Sequence, residues 1–402
     1  MELQEFLERH GLTPDAIDGA ECLNKLLAQM EEGLAGRGNI PMIPSWLSLD
    51  LSFVPGKRCC VMDAGGTNLR VALGEFTPEG SCGFTKLVKV PMPGTRGPLS
   101  ADGFYDILAG MARDTGCPQR IGLCFSYNVA LERNLDGILL AWCKEVQVSD
   151  APGKPVGASL LRSLGKDGGS IRVLNDSTAA LLGAHGVNKD ITLGLILGTG
   201  INICYQESLD RIPKIPGNLK KNAMIISTEI GEFDGIPQNE FDRAVIVASD
   251  DPGLAQAEKQ CAGGYLGDLI GLAWKTAAAE KLVGPEFARG ASLIAVSDYL
   301  AGSRDIFPED PAALEIARAM IRRAAKIAAI LTAGPVLRSC SQGKTCGIAV
   351  EGSQYEKLTG FAPRFRLELE RLLSARDIGF TMHLVENSCL LGAAMAAFAE
   401  PM

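Results

Sequence analysis

Apolar and polar positions alternate with several different periods along this 402-residue chain, and each change of period marks an element. Residues 1–40 carry helical spacing with many acids, closed by Gly36, Gly38 and the Pro41/Pro44 loop. The runs RCCVMDA, LRVALGEF and FTKLVKVP, separated by glycine turns, predict three strands. DGFYDILAGMARD predicts a helix, RIGLCFSYNV a strand, and RVLN a short buried strand leading into the helix STAALLGAHG. TLGLILG and INICYQES read as two strands around another glycine turn. From about 240 to 300 the pattern is mainly helical, and a long helix is expected at AALEIARAMIRRAAKIAAILTAG. The strand GIAVEG, the helix FRLELERLLSA and a last helix CLLGAAMAAFA complete the chain. This is too long for one ordinary core, so two domains are expected.

A weak internal repeat sits inside that pattern. Residues 61–68 (VMDAGGTN) and 195–202 (LILGTGIN) each take a buried apolar strand into a tight glycine turn and back. Copies so far apart exclude a solenoid. Two related lobes, each offering one glycine hairpin to a shared cleft, fit better, and such a cleft binds a phosphate chain from both sides.

Composition narrows the partners. The chain is 47% hydrophobic and 21% charged with a net charge of −8, which describes a globular protein and argues against disorder. No long Lys/Arg run appears, so nucleic acid is not an expected partner. The first residues lack a basic region followed by an apolar one, so no signal peptide is expected, and no stretch reaches membrane-span length. Twelve cysteines without a C-x-x-C pair favour reduced thiols in a cytoplasmic setting over a disulfide scaffold or zinc site. The three histidines, His10, His185 and His383, are isolated, which favours packing or surface roles over catalysis.

Candidate chemistry gathers at the hairpins. Glycine allows positive φ and lets backbone N–H groups approach phosphate oxygens. Asp63, ending the first strand, suits Mg²⁺ held through water, while Thr67 and Asn68 add side-chain donors and acceptors. A plain hairpin turn would use the same glycines. Ser341–Thr345 (SQGKT) resembles the end of a P-loop, but Arg338 stands where the first glycine is required.

The motifs together resemble those of the hexokinase family. MDAGGTNLRV (62–71) resembles its first phosphate motif, matching at Asp63, Gly65, Gly66, Thr67, Asn68 and Arg70. Residues 122–146 are similar to its sugar-binding stretch at Phe125, Ser126, Gly137, Leu139, Trp142 and Lys144. LNDSTAALLGA (174–184) resembles the connecting motif with the catalytic aspartate, and GLILGTGINICY (194–205) the second phosphate motif with Gly198, Thr199 and Gly200. STEIGEF (227–233) and AEKQCAGGYLGDLI (257–270) resemble the segments bearing sugar-binding glutamates, and VEGSQY (350–355) the adenosine motif with Gly352 and Ser353. Seven matches in order, from about residue 55 to the C-terminus, are hard to obtain by chance.

The resemblance implies an α/β, actin-like ATPase (ribonuclease H-like) fold: two lobes, each a mixed sheet with helices, hinged around a cleft. It implies an N-terminal helical segment (1–40), a small lobe (41–175, regaining 388–402) and a large lobe (176–387). It implies transfer of the ATP γ-phosphate to a hexose hydroxyl, usually the 6-hydroxyl, with ATP and Mg²⁺ as cofactors. Asp176 is then the base that accepts the hydroxyl proton, although an aspartate before Ser-Thr-Ala-Ala is also an ordinary helix cap. Lys144 supplies positive charge to the moving phosphoryl group, its bland alternative being a solvated loop lysine. Asn175, Asp176, Asn202, Glu229 and Glu258 match the family's sugar ligands, with Ser126, Cys143 and Lys144 in the matching loop. For Glu258, within AQAEKQ, the bland alternative is a solvated helix face.

Several positions depart from the family pattern. Ser126-Tyr127-Asn128 replaces Ser-Phe-Pro, losing a rigid turn. Cys143 replaces a threonine, a weaker hydrogen-bonding group. Ile230 replaces a tryptophan, and residues 387–392 lack the usual Gly-Lys-Gly. These changes leave the phosphate-handling residues in place and leave sugar identity open. The competing readings are a kinase of another sugar-like acceptor and a sugar-sensing regulator with little turnover. Oligomeric state is open as well.

Overall fold

The computed structural model describes residues 3–142, 146–215, 217 and 219–402. Helices α1 (Leu3–Arg9) and α2 (Gly19–Leu34) precede the two-residue strand β1 (Ile43–Pro44). Strands β2 (Arg58–Ala64), β3 (Asn68–Phe76), β4 (Cys82–Pro91) and β5 (Leu99–Ser100) follow, then helix α3 (Ala101–Thr115) and strand β6 (Arg120–Phe125). The hairpin β7 (Asn128–Leu131) and β8 (Gly137–Ala141), strand β9 (Val148–Ser149), helix α4 (Val156–Leu164) and strand β10 (Ser170–Leu174) complete the first half. The second half opens with helix α5 (Asp176–Val187) and strands β11 (Ile191–Leu197), β12 (Ile201–Ser208) and β13 (Ala223–Ser227). Helices α6 (Glu240–Ala248), α7 (Gln256–Cys261), α8 (Gly263–Ala279), α9 (Leu293–Leu300) and α10 (Pro311–Ser339) come next. Strand β14 (Thr345–Glu351), helices α11 (Ser353–Lys357) and α12 (Phe361–Ser374), strand β15 (Gly379–His383) and helix α13 (Ser388–Ala396) end the chain.

The strands form two large mixed sheets with the same plan. The first has the order β10-β6-β2-β3-β4 and the second β1-β13-β12-β11-β14-β15. In each, an antiparallel meander of three strands continues on its first strand into two parallel ones. The faint repeat in the sequence is therefore a repeat of topology. Both glycine turns lie between the first and second strands of their meanders, at residues 65–67 and 198–200. Strand β1 lies within the segment expected to open the small lobe, but it pairs with β13 at the edge of the second sheet instead.

Burial on both faces explains the near-continuous apolar runs. On β2, Cys59 and Val61 face one layer while Cys60, Met62 and Ala64 face another, as a period of two requires. The first layer holds α5 and α13, packed between the two sheets. The second layer is α3 and α4 on the far side of the first sheet. On the far side of the second sheet, α10 packs with α1, α2, α7, α8 and α9 around β11 and β12. Helix α5 is buried all round from Ser177 to Ala184, so it shows no amphipathic stripe.

One expected strand needs correction, and three elements were not foreseen. RIGLCFSYNV is not one strand: β6 stops at Phe125, and β7 starts at Asn128 to pair with β8. Strands β13 and β15 and helix α4 carry no pattern strong enough to have been predicted. Among the described residues, no helix is long and apolar enough to cross a membrane.

Candidate active site

The first hairpin is held by charge. Asp63 and Arg70 face each other across β2 and β3, and Arg70 Nε and Nη2 donate to Asp63 Oδ2 at 2.8 and 2.6 Å. Arg70 Nη1 reaches Asn387 Oδ1 at 3.3 Å, so the hairpin is tied to the start of α13. Gly65 N donates to Asn68 O at 3.1 Å, closing the turn, and Thr67 stands exposed at its tip.

The second hairpin is crowded, which its glycines permit. The first amides of α8, Gly263 N and Gly264 N, donate to Gly198 O and Thr199 O, each at 2.9 Å. Gly352, at φ +133°, lies so close that a Cβ there would overlap Leu197 O. Its Cα would be 3.5 Å from a Cβ on Gly198. The bland reading of Gly352 and Ser353 as an incidental turn gives way: the turn touches the hairpin. From Gly352 the path returns to the first hairpin, because Ser388 Oγ donates to Glu351 Oε2 at 2.6 Å and Ser388 adjoins Asn387. Both glycine turns thus border one gap, with the end of β14 and the start of α13 between them.

A continuous polar chain crosses the floor of that gap. Asn175, not Asp176, caps α5: Asn175 Oδ1 accepts Ser177 N at 2.9 Å and Ser177 Oγ at 2.8 Å. Ser177 Oγ lies 3.2 Å from Ser227 Oγ, which donates to Glu229 Oε1 at 2.9 Å. Asn202 Nδ2 also donates to Glu229 Oε1, at 2.6 Å, and Asn202 Oδ1 accepts Glu229 N at 3.0 Å. Glu229 adopts φ +55°, a conformation uncommon for a non-glycine residue, stabilised here by this network. The capping alternative for Asp176 is overturned, since Asp176 is the first residue of α5 and its cap is the residue before. Its Oδ1 accepts the N–H of Ser177 at 2.8 Å.

Glu258 enters from α7. Its Oε2 accepts Ile201 N at 2.9 Å, directly after the second turn, so the solvated-face reading fails. Part of its surface stays accessible, yet the protein around it displaces enough water to push its carboxyl up to about 7. The Ile201 N–H opposes that rise, while Glu229, Glu232 and Asp251 add to it. Glu229 is raised too, chiefly by desolvation, against the hydrogen bonds from Ser227 and Asn202 and with some repulsion from Asp176.

Of the sequence-predicted residues, Asp63, Gly65, Gly66, Thr67, Asn68 and Arg70 lie on the first hairpin, and Gly198, Thr199 and Gly200 on the second. Asn175, Asp176, Asn202 and Glu229 belong to the floor with Glu258 beside it. Ser126 N donates to Ala64 O at 3.1 Å, which brings the sugar loop to the first turn. Cys143 and Lys144 lie outside the described residues. Ser177 and Ser227 were missed as site residues, although both stand inside motifs that drew attention. Asn387 and Glu351 were missed because their partners are remote in sequence. A cavity of about 680 Å³ between β4 and α3 is walled by Val71, Val88, Val90, Ile107 and Met111. It shares no residue with the gap, and convergence of polar groups, not size, identifies the site.

Comparison with known proteins bears on the family and the fold. Two family profiles, both described as hexokinase, match residues 192–399 and 2–185. The chain is 31% identical to hexokinase-2 of Candida albicans over 281 residues, covering 63% of this chain and 57% of that protein. It is 28% identical to hexokinase-7 of Oryza sativa over 441 residues, 96% of this chain and 94% of that protein. The matched region spans about half the length of the first curated relatives, 57%, 53% and 51%. The crystal structure of a Schistosoma mansoni hexokinase complexed with glucose superimposes with a TM-score of 0.80 at 21% identity, over 99% of this chain and all (100%) of that one. At that identity the likeness establishes the two-lobed fold.

Proposed function

Because the chain belongs to the hexokinase family, we propose that it transfers the γ-phosphoryl group of ATP to a hexose hydroxyl, with the 6-hydroxyl of glucose as the default acceptor. The carrying observation is the unbroken polar chain from Asn175 to Glu229, lying beside Asp176 and between two glycine turns. A hexose presents a ring of hydroxyls that both donate and accept. Carboxylates such as Glu229 and Glu258 accept from neighbouring hydroxyls, while Asn175 and Asn202 supply amides that do both.

A sugar hydroxyl is a weak nucleophile, and phosphoryl transfer depends mostly on positioning and charge neutralisation. The two hairpins offer backbone N–H groups to the triphosphate from opposite sides. Asp176 keeps Oδ1 on Ser177 N and uses its other oxygen to take the hydroxyl proton. Lys144 supplies a fixed cation to the transferring group. The Asp63 carboxylate has Oδ2 committed to Arg70 through two nitrogens, so its other oxygen is the one suited to holding a water of Mg²⁺. That ion would neutralise phosphate charge when bound.

The same proposal divides the molecule into a small lobe on the first sheet, about residues 47–175 with 388–402, and a large lobe on the second. The small lobe's start is moved from 41 because of the β1–β13 pairing. A reducing compartment such as the cytoplasm is part of it, supported by the described cysteines being free. The test is a hexose panel with purified protein, ATP and Mg²⁺, following ADP release. ADP release with glucose, fructose or mannose is expected. Release only with another polyol would make the chain a kinase of a different acceptor. Thermal stabilisation by sugar without ADP release would make it a sensor.

A further inference from the structure

Tyr127 stands one residue after Ser126, and its phenol donates a hydrogen bond to Gly65 O at 2.9 Å. Gly65 opens the phosphate-binding turn. The same junction is closed a second time by the backbone, through Ser126 N to Ala64 O at 3.1 Å. The Tyr127 ring is 4% exposed and wedged between Phe125 and Trp142, with centroids 4.9 and 5.0 Å away. Trp142 in turn meets Phe104 of α3 at 5.1 Å. The ring is therefore fixed by its aromatic neighbours, and its hydroxyl has one direction to point.

Among the described residues, the turn it reaches is also held by bonds of its own. Gly65 N donates to Asn68 O, and Met92 N donates to Thr67 O at 2.9 Å. Both of those bonds stay within the first meander and its exit loop. Tyr127 contributes a side-chain bond that arrives from the sugar loop. A phenylalanine could fill the same aromatic slot but could not make it.

We propose that Tyr127 is a positioning residue that couples occupancy of the sugar loop to the phosphate-binding turn 65–67. Movement of Ser126 and Asn128 on sugar entry is carried by a rigid ring to the Gly65 carbonyl, which sets the aim of the N–H groups that follow it. This rests on the proposed kinase function, and it predicts an effect on the mutual enhancement of sugar and nucleotide binding, equal in both directions, rather than on either ligand bound alone.

The test is Tyr127→Phe in the full chain. Binding of β,γ-imido-ATP with Mg²⁺ would be measured by calorimetry, with and without saturating glucose, alongside steady-state kinetics. One neutral hydrogen bond corresponds to a loss of roughly three- to tenfold. The Phe variant should lose that factor in nucleotide affinity in the presence of glucose, with KM for ATP raised to match. Nucleotide affinity without glucose, glucose affinity without nucleotide, kcat and thermal stability should stay close to wild type. Tyr127→Leu, which also removes the ring, should weaken both substrates. A nucleotide loss of the same size with and without glucose, or no loss, would overturn the coupling role. If the wild-type protein phosphorylated no hexose, the functional reading would fall, whereas the nucleotide-binding comparison would still decide the role of Tyr127.

Discussion

Glu258 Oε2 accepts the backbone N–H of Ile201 at 2.9 Å, and Gly200 is what lets it come that near. A Cβ at position 200 would sit 2.5 Å from that same oxygen. Gly231 closes the other side, where an added Cβ would lie 3.0 Å from Glu258 Cβ, so the carboxylate has little room to retreat. Gly200→Ala should therefore break the Ile201 bond and misplace a sugar acceptor. We expect sugar affinity to fall about tenfold or more and stability to fall by about 1–2 kcal/mol. Calorimetric titration with glucose and thermal unfolding check both. A variant binding sugar like wild type would place Glu258 outside the sugar site.

The raised carboxyl of Glu258 also gives the site a pH dependence. Its folded value of about 7 stands above the ordinary 4.5, so between these values the folded chain holds a proton that the unfolded chain has released. Its contribution to stability is then full below about 4.5 and lost as pH rises towards 7. Sugar binding should run the opposite way, because hydroxyls donate to the ionised form, and affinity should climb through pH 7. Glu258→Gln should flatten the affinity profile and shrink the stability slope, with Glu229 supplying what slope remains in that direction. Thermal unfolding and sugar titration from pH 5 to 8 would show it.

Asp176 is expected to act on the proton alone. Asp176→Ala should lower kcat by about 10²–10⁴ while sugar and nucleotide bind within a few-fold of wild type. Helix α5 should survive, because its cap is the side chain of Asn175. Undiminished turnover in single-turnover kinetics would remove Asp176 from the base role.

These residues also show where sequence reading succeeds and where it stops. Strands β2, β3, β11 and β12 were legible because a doubly buried strand must be an apolar run, and the turns because glycines cluster between the paired runs. Asp176, Glu229 and Glu258 were legible through ordered motifs, but their chemistry was not. The capping role passed to Asn175 because a cap is defined by the φ/ψ at which the helix starts, which neighbouring Asn-Asp-Ser residues do not specify. Glu258 looked like one charge among several in AQAEKQ, since what makes it special is Gly200, brought to it only by the fold. The bonds from Arg70 to Asn387 and from Ser388 to Glu351 join segments remote in sequence, and no local pattern announces them. Strand β13, AMIIS, is five residues between loops, too short for its period to register.

The joint between the lobes leads to the last prediction. Helix α5 packs on the strands of the second sheet, and α13 on β2, β6 and β10 of the first. Where they cross, Gly183 faces Ser388 O and Gly392 faces Ala179 O, each so closely that a Cβ would overlap the carbonyl of the other helix. Backbone contact of this kind brings the two helix axes closest at one point, which makes the crossing the natural pivot between the lobes. Sugar entering the gap should draw the lobes together and exclude water that would compete for the phosphoryl group. X-ray scattering should then report a smaller radius of gyration with saturating glucose. Gly392→Ala should force the helices apart, costing about 1–3 kcal/mol or more in stability, and should reduce the sugar-dependent compaction even at sugar concentrations that fill the site. Superimposable wild-type profiles with and without glucose would exclude closure. Full compaction in a destabilised Gly392→Ala protein would place the pivot elsewhere than the α5–α13 crossing.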